Sequence, residues 1–419
     1  MTWSTLIIGG GPAGLAAACF CAQPALVIER LAAPGRKLLA TGGGRCNLTH
    51  ATDAAGIMAA FGRQGRFMSD ALAAFPPDAI RAFFASLGVA TRADPDGCVF
   101  PVSQRAEELC RALEQAARNA GTELRCGLRA QRLLLAPDTD GSVTRRVTGV
   151  ETARGVLHAR HVILAAGGQS YPALGSDGSG FALARDAGLE VTPPLPALAG
   201  LFTRETWPGS LAGLVLEHAA LRLDAPGSPK TWLEGPVLFT HKGVSGPPAL
   251  DLSGAINARL HAARAQAGTD VTVRLASRAG WTAADWRARF ADWRLHHGGR
   301  ALHNLLAGEL PRALAATLCT LAGTENMAAA RAPKSALEAL ADACAEQPLQ
   351  ITGTESWARA MVTRGGVSLR ELDPRTLACR RRPGLFCAGE VVDLDGRCGG
   401  FNLTWALVSG RLAGLATSA

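Results

Sequence analysis

The sequence predicts an α/β protein whose two ends build one discontinuous domain around an inserted β-rich and helical region. Three observations carry this. An apolar run, a glycine-rich turn and a small-residue helix open the chain. A second glycine-rich strand–turn–helix pattern closes it. Between them, after Val191, the composition shifts to short strands punctuated by Gly and Pro, and then to helices.

The opening segment is the most specific. Thr5-Leu6-Ile7-Ile8 is followed by Gly9-Gly10-Gly11-Pro12-Ala13-Gly14 and by Leu15-Ala16-Ala17-Ala18, and the run Ala25-Leu26-Val27-Ile28 ends in Glu29. Strand, G-x-G-x-x-G turn, helix, strand and acid stand in the order of a dinucleotide-binding βαβ unit. Gly9 permits the tight turn, Gly11 lets the backbone approach a pyrophosphate, and Gly14 lets helix and strand pack closely. The helix N-terminus turns free N–H groups toward the phosphates. Glu29 can accept hydrogen bonds from a ribose 2′-OH, which disfavours a 2′-phosphate and points to FAD or NAD rather than NADP.

Further along, 105–120 predicts an amphipathic helix with Leu109, Leu113 and Ala117 on one stripe. Short strand-like runs follow at 122–126, 130–135, 146–151 and 156–158, with a turn at 137–141 between two of them. His161 to Gly168 reads as a buried strand ending in a glycine doublet. Thr192-Pro193-Pro194-Leu195-Pro196 reads as a domain crossing. Strand-like runs with Gly and Pro turns fill about 197–275, and helices about 282–345, where Thr282 is an N-cap with Asp285 three residues on. Strands resume at 347–363, and Gly384 to Ala388 leads through Gly389-Glu390 and a glycine-rich loop into a helix from about 402. The expected domains are 1–191 with 346–419 for the nucleotide, 192–280 for the β-rich insertion and 281–345 for a helical subdomain.

The whole chain bounds the possibilities. Its 419 residues suffice for two or three domains, and 48% hydrophobic residues exclude a disordered chain. No apolar run reaches the ~18 residues that span a bilayer. The N-terminus enters the first strand without a basic n-region, so a cytoplasmic protein is expected. Eleven scattered cysteines with no C-x-x-C pair read as reduced thiols, with no metal site and no disulfide framework. The net charge of +8 suits an anionic partner, although an Arg excess from a GC-rich genome gives the same number.

Five segments together carry a resemblance: Ile7 to Ala18, Gly35 to Asn47 (G-R-K-L-L-A-T-G-G-G-R-C-N), Leu164 to Gly180, Phe239 to Pro247 (F-T-H-K-G-V-S-G-P) and Gly384 to Gly410. The chain resembles the BaiN-like (YhiN-like) bacterial NAD(P)/FAD-dependent oxidoreductase flavoproteins over nearly its whole length. More distantly it is similar to fumarate reductase and ketosteroid dehydrogenase flavoproteins. The resemblance implies a glutathione-reductase-like Rossmann FAD-binding domain. It also implies cofactor contacts from Gly9, Gly11, Pro12, Ala13 and Gly14 at the pyrophosphate, Glu29 at the adenosine ribose, Arg30 and Lys37 near ribose or phosphates, and Ala130 at adenine. Gly43, Gly44, Arg45 and Cys46 are expected toward the flavin ring. Ala166, Gly167 and Gly168 end the strand beside the cofactor, and Gly389 and Glu390 stand where related flavoproteins usually have Gly-Asp on the ribityl chain. Gly399, Gly400, Phe401, Asn402 and Leu403 lead into a helix whose N-terminus can stabilise negative charge on the reduced flavin.

Only one nucleotide fingerprint is present, so NADH or NADPH is expected as a transient donor. Cys46, Cys398, His241, Lys242 and His50 are candidate proton donors or anion clamps. Disulfide chemistry at Cys46 is not expected, because position 51 is Ala. Trp286, Phe290 and Trp293 at i, i+4 and i+7, with Arg287, Arg289 and Arg294, read either as a nucleic-acid surface with stacking aromatics or as a core-facing helix with solvated arginines. The resemblance offers two acceptors: the enone of a steroid-like dehydro acid, or a uridine of ribosomal RNA reduced to dihydrouridine. A flavin-binding redox sensor is the non-enzymatic alternative. Flavin released from the protein by heat is expected to be FAD; chromatography showing FMN alone would contradict the fingerprint reading.

Overall fold

The computed structural model describes residues 2–137, 144–264 and 271–418. Apart from Pro137, the turn expected at 137–141 lies outside them. The chain divides into two compact units, Met1–Leu195 with Trp357–Ala419, and Pro196–Ser356.

The first unit is built on β1 (Thr2–Ile8), α1 (Pro12–Phe20), β2 (Ala25–Glu29), α2 (Ala106–Asn119), β3 (Glu123–Cys126), β4 (Ala130–Leu135), β5 (Val147–Thr152), β6 (Gly155–Leu164), α3 (Ser179–Asp186), β7 (Leu385–Cys387) and α4 (Phe401–Ala416). Its sheet has the order β3-β2-β1-β6-β5-β4, and β7 pairs with the end of β6. β3, β2, β1, β6 and β7 run parallel, whereas β5 and β4 form an antiparallel meander. Leu6, Ile7 and Ile8 face Leu26, Val27 and Ile28 on one side and Val162, Ile163 and Leu164 on the other. These strands are covered on both faces, which explains their unbroken apolar runs. Their C-terminal ends align, and that is where an α/β sheet presents its ligand site.

α1 and α4 touch backbone to backbone. A Cβ at Gly410 would collide with the Ala13 carbonyl, and one at Gly414 would stand 2.6 Å from the Ala17 carbonyl oxygen. A Cβ at Gly14 would collide with the carbonyl of Gly9. The last helix is thereby brought against the first turn of the chain.

The second unit holds a closed six-stranded antiparallel barrel. Its strands run in the order Leu201–Thr203, Gly243–Ser245, Leu233–Thr240, Val215–Asp224, Val271–Ala276 and Gln347–Thr354, and the last pairs with the first. Two expected boundaries change. The strand at 347–354, assigned from sequence to the nucleotide domain, closes the barrel: Leu275 faces Gln347 and Leu201 faces Thr354, with Leu349 and Ile351 in the barrel core. The helices at 281–345 are not a separate subdomain, because Trp286, Phe290, Trp293, Leu314 and Leu340 share one apolar core with Leu221, Val273 and Leu275. Thr282 caps the helix Ala283–His296 through a capping box with Asp285. Among the described residues, no helix is long and apolar enough to cross a membrane, and no group of three or more His, Cys, Asp or Glu is placed to hold a metal ion.

Gly410→Val tests the helix contact. Helix propensity gains only a few tenths of a kcal/mol from Gly to Val. Overpacking against a backbone carbonyl costs about 1–3 kcal/mol. A net loss of about 2 kcal/mol in urea unfolding is expected, and unchanged stability would show that the helices separate at no cost.

Candidate cofactor cleft and active site

A cleft opens in the first unit at the C-terminal ends of β1, β2 and β6. Gly9, Gly11, Pro12 and Ala13 line one wall, with Glu29, Lys37, Thr41, Ala166 and Gly167 beside them. Glu390, Asn402, Leu403 and Trp405 line the cleft as well. A smaller adjoining cavity shares Gly9, Glu29, Ala166 and Gly175 and is bordered by Arg30 and Ala130.

The lining fits a dinucleotide. A Cβ at Gly11 would meet nothing within 4 Å, so internal packing does not require glycine there, and the space it leaves belongs to the cleft. α1 and α4 both begin at this cleft with a glycine N-cap and no capping side chain, so their first N–H groups are available to an anionic ligand. The Glu29 carboxylate accepts N–H bonds from Gly10 at 2.8 Å and Leu31 at 2.7 Å. Each of its oxygens keeps a second lone pair for a ribose hydroxyl.

Two predicted cations prove to be engaged with protein groups. Arg30 donates to the carbonyls of Pro172 at 3.0 Å and Gly175 at 3.1 Å, and lies 3.6 Å from Asp177. Lys37 Nζ lies 2.5 Å from Glu390 Oε2 and 2.6 Å from Ser170 Oγ. Glu390 Oε1 also accepts from Ser170 Oγ at 2.7 Å and from the Thr363 N–H at 2.8 Å. Burial alone would raise the Glu390 carboxyl, but the Lys37 charge and these hydrogen bonds outweigh it and hold the group below the ordinary carboxylate range. Its contribution to stability is therefore present above the ordinary carboxylate pKa, and it is lost only as pH falls through the depressed folded value.

Other predicted contacts sit where packing explains them. A Cβ at Gly168 would collide with Thr363, and one at Gly389 would stand 2.7 Å from Ala13 Cβ. A Cβ at Gly400, at φ 90°, would stand 2.7 Å from both Asn47 Oδ1 and the Thr49 carbonyl oxygen. A Cβ at Gly399 would lie 2.8 Å from the Phe401 ring, which itself stacks on His50 at 4.8 Å. The Asn402 amide clasps the Gly396 peptide, with both bonds at 2.8 Å.

The loop of Gly43, Gly44 and Arg45 is exposed and does not line the cleft; Arg45 lies over the Phe100 ring at 4.4 Å.

Cys46 corrects an expectation. It is fully buried at φ 61°, is absent from the cleft wall, and burial pushes its thiol up to about 12. Its thiol packs inside the protein, away from the cleft wall. Cys398 is half-buried and also outside the cleft wall. His241 and Lys242 lie in the second unit, exposed at the turn between its strands Leu233–Thr240 and Gly243–Ser245. Of the two readings of the helix at 283–296, the structure has the core-facing one: Trp286, Phe290 and Trp293 are core residues, while Arg287 pairs with Asp342 at 3.2 Å and Arg289 with Glu309 and Asp292. The sequence reading missed Ser170 and Thr363, which carry no motif and acquire their role only through Glu390. It also missed Arg36 and Trp405, which line the cleft.

The profile of the HI0933-like protein Rossmann domain matches residues 3–416. The chain belongs to the HI0933-like family. It is 33% identical over 420 residues to a 3-dehydro-bile acid delta(4,6)-reductase of Clostridium scindens, covering 98% of each chain. It is 30% identical over 408 residues to a ribosomal RNA dihydrouridine synthase of Escherichia coli, covering 96% of this chain and 95% of the relative. Its fold is that of a flavocytochrome c3 fumarate reductase (TM-score 0.50, 16% identity, 100% of this chain and 78% of that one). It is equally that of the 3-ketosteroid delta1-dehydrogenase of Sterolibacterium denitrificans (TM-score 0.50, 13% identity, 100% of each chain). This HI0933-like protein is an oxidoreductase with a Rossmann-type FAD-binding domain.

Three variants test the site. Gly11→Val is expected to fold normally and lose FAD, since only the cleft is obstructed. Gly14→Val is expected to lose folding stability as well. Native flavin content in Gly11→Val would contradict the placement. Glu29→Ala should weaken FAD by about 1.5–3 kcal/mol, the range for a hydrogen bond to a charged group. Cys46 should resist alkylation in the native protein, as read by mass spectrometry, and label on unfolding.

Proposed function

We propose that the protein reduces a C=C bond conjugated to a carbonyl, with NADH or NADPH as the transient electron donor. The observation that carries this reading is a dinucleotide cleft with two uncapped helix N-termini, in a chain that aligns over 95–98% of each sequence with relatives named for two such reductions. A 3-dehydro steroid acid with a delta-4 bond and a uridine share one feature, an alkene in conjugation with C=O, so the bond type transfers to this chain more readily than either molecule does.

When bound, FAD supplies hydride to the far carbon of that alkene. The chain's own groups supply the rest. The start of α1 and Gly11 receive the pyrophosphate, and Glu29 the adenosine ribose. The Lys37–Glu390 pair lines the cleft and would border the bound cofactor. The N–H groups at the start of α4, beside Asn402 and Leu403, would stabilise negative charge on a flavin bound there. Water or a side chain supplies the proton that completes the addition. With Cys46 buried, His50 and Cys398 are the remaining predicted acids of the first unit, and neither lines the cleft. The second unit, which has no nucleotide fingerprint, is assigned substrate selection.

NAD(P)H oxidation by the purified holoprotein, run with a panel of enones beside rRNA fragments, separates the acceptors. An rRNA acceptor predicts binding that weakens steeply with salt, because phosphate contacts release counterions. It also predicts loss of one dihydrouridine from the rRNA of a deletion strain, read by nucleoside mass spectrometry. A small enone predicts salt-insensitive turnover. Rapid flavin reduction with no acceptor turned over would overturn the reductase reading in favour of a redox sensor.

A further inference from the structure

Four basic side chains border the cleft and the small cavity that adjoins it: Arg30, Arg36, Lys37 and Arg129. Three are committed to protein partners. Arg30 holds the carbonyls of Pro172 and Gly175, Arg129 pairs with Asp177 at 3.0 Å, and Lys37 is neutralised by Glu390. Arg36 differs. It opens the short helix Arg36–Ala40, lines the same cleft as Gly11 and Pro12, and is exposed. Its side chain makes no hydrogen bond or ion pair with any described residue.

The charges of the cleft sharpen the contrast. Its ionisable lining consists of Glu29, Glu390, Lys37 and Arg36, two of each sign. A lysine paired with a carboxylate presents almost no net field to a third group. A dinucleotide brings two phosphate charges into this balanced lining, and the dipole of a nine-residue α1 offers only about half a charge. A free guanidinium, with five donors in a fixed fork, suits phosphate oxygens in two-point contact.

We infer that Arg36, and not Lys37 or Arg30, is the side chain that clamps the cofactor's pyrophosphate. The inference rests on the FAD-binding reading of the cleft. Lys37 and Glu390 then form a neutral pair that shapes the cleft wall, and Arg30 braces the loop at 172–177.

The test compares two flavins on protein stripped of its cofactor. FAD carries the pyrophosphate, and riboflavin carries the same ring and ribityl chain without phosphate. Binding is read by flavin fluorescence at low and high salt. Arg36→Gln is expected to raise the FAD Kd at least tenfold and to flatten its salt dependence, while riboflavin affinity stays at the wild-type value. Arg36→Lys should recover part of the loss. Lys37→Met is expected to weaken both flavins alike, since it breaks the cleft wall. Arg36 has no side-chain partner among the described residues, so the melting temperature of its variants should not change. Wild-type FAD affinity in Arg36→Gln, or equal weakening of both flavins, would overturn the assignment. Wild-type protein that binds riboflavin as tightly as FAD would instead overturn the pyrophosphate-binding reading of the cleft.

Discussion

The contact of α1 with α4 is the constraint on which the site depends. Gly410 and Gly414 let the last helix rest on the carbonyls of Ala13 and Ala17, and Gly14 lets α1 rest on the carbonyl of Gly9. From α4 the order propagates. The Trp405 indole donates to the Gly389 carbonyl at 3.1 Å, and the Ser409 hydroxyl accepts from the Gly389 N–H at 2.9 Å. Gly389 is thus fixed at the end of β7, and Glu390 follows it. Two helix N-termini far apart in sequence reach one cleft because their flanks have no side chains to hold them apart.

The Lys37–Glu390–Ser170–Thr363 cluster is a second layer of organisation. Taking both charges out of water is unfavourable, and a half-buried pair of this kind adds little net stability by itself. Its hydrogen bonds do something else. They tie the helix at 36–40, the chain after β6, the strand at 362–367 and the end of β7 to a common point. Loss of one member leaves the other charge poorly compensated, which makes the cluster more sensitive to single substitutions than its net energy suggests.

The parts of the fold written as local patterns were legible in the sequence. The βαβ fingerprint needs only neighbouring residues, and so does the capping box at Thr282 and Asp285. The final strand, turn and helix were readable for the same reason. Closure of the barrel was not, because the run at 347–354 has the alternation of any strand, and its partners at Val271–Ala276 and Leu201–Thr203 are set by tertiary pairing. Cys46 was placed from its glycine-rich surroundings, yet a left-handed backbone at that residue turns the thiol inward. Arg36 and Lys37 are adjacent and alike in charge. Which of them is already neutralised depends on Glu390, more than 350 residues away by chain count.

The strand at Val191–Ala197, where the chain leaves the first unit, pairs with the strand at Val362–Val367, where it has returned. Departure and re-entry therefore share one ladder, pinned further by the Ser368 N–H on the Glu190 carbonyl at 2.9 Å. The ends of everything between them are already closed, so lengthening or shortening that stretch carries little further loop-closure entropy. Such a stem is an evolutionary seam. A lineage can rebuild the excursion it encloses while the nucleotide half keeps its geometry.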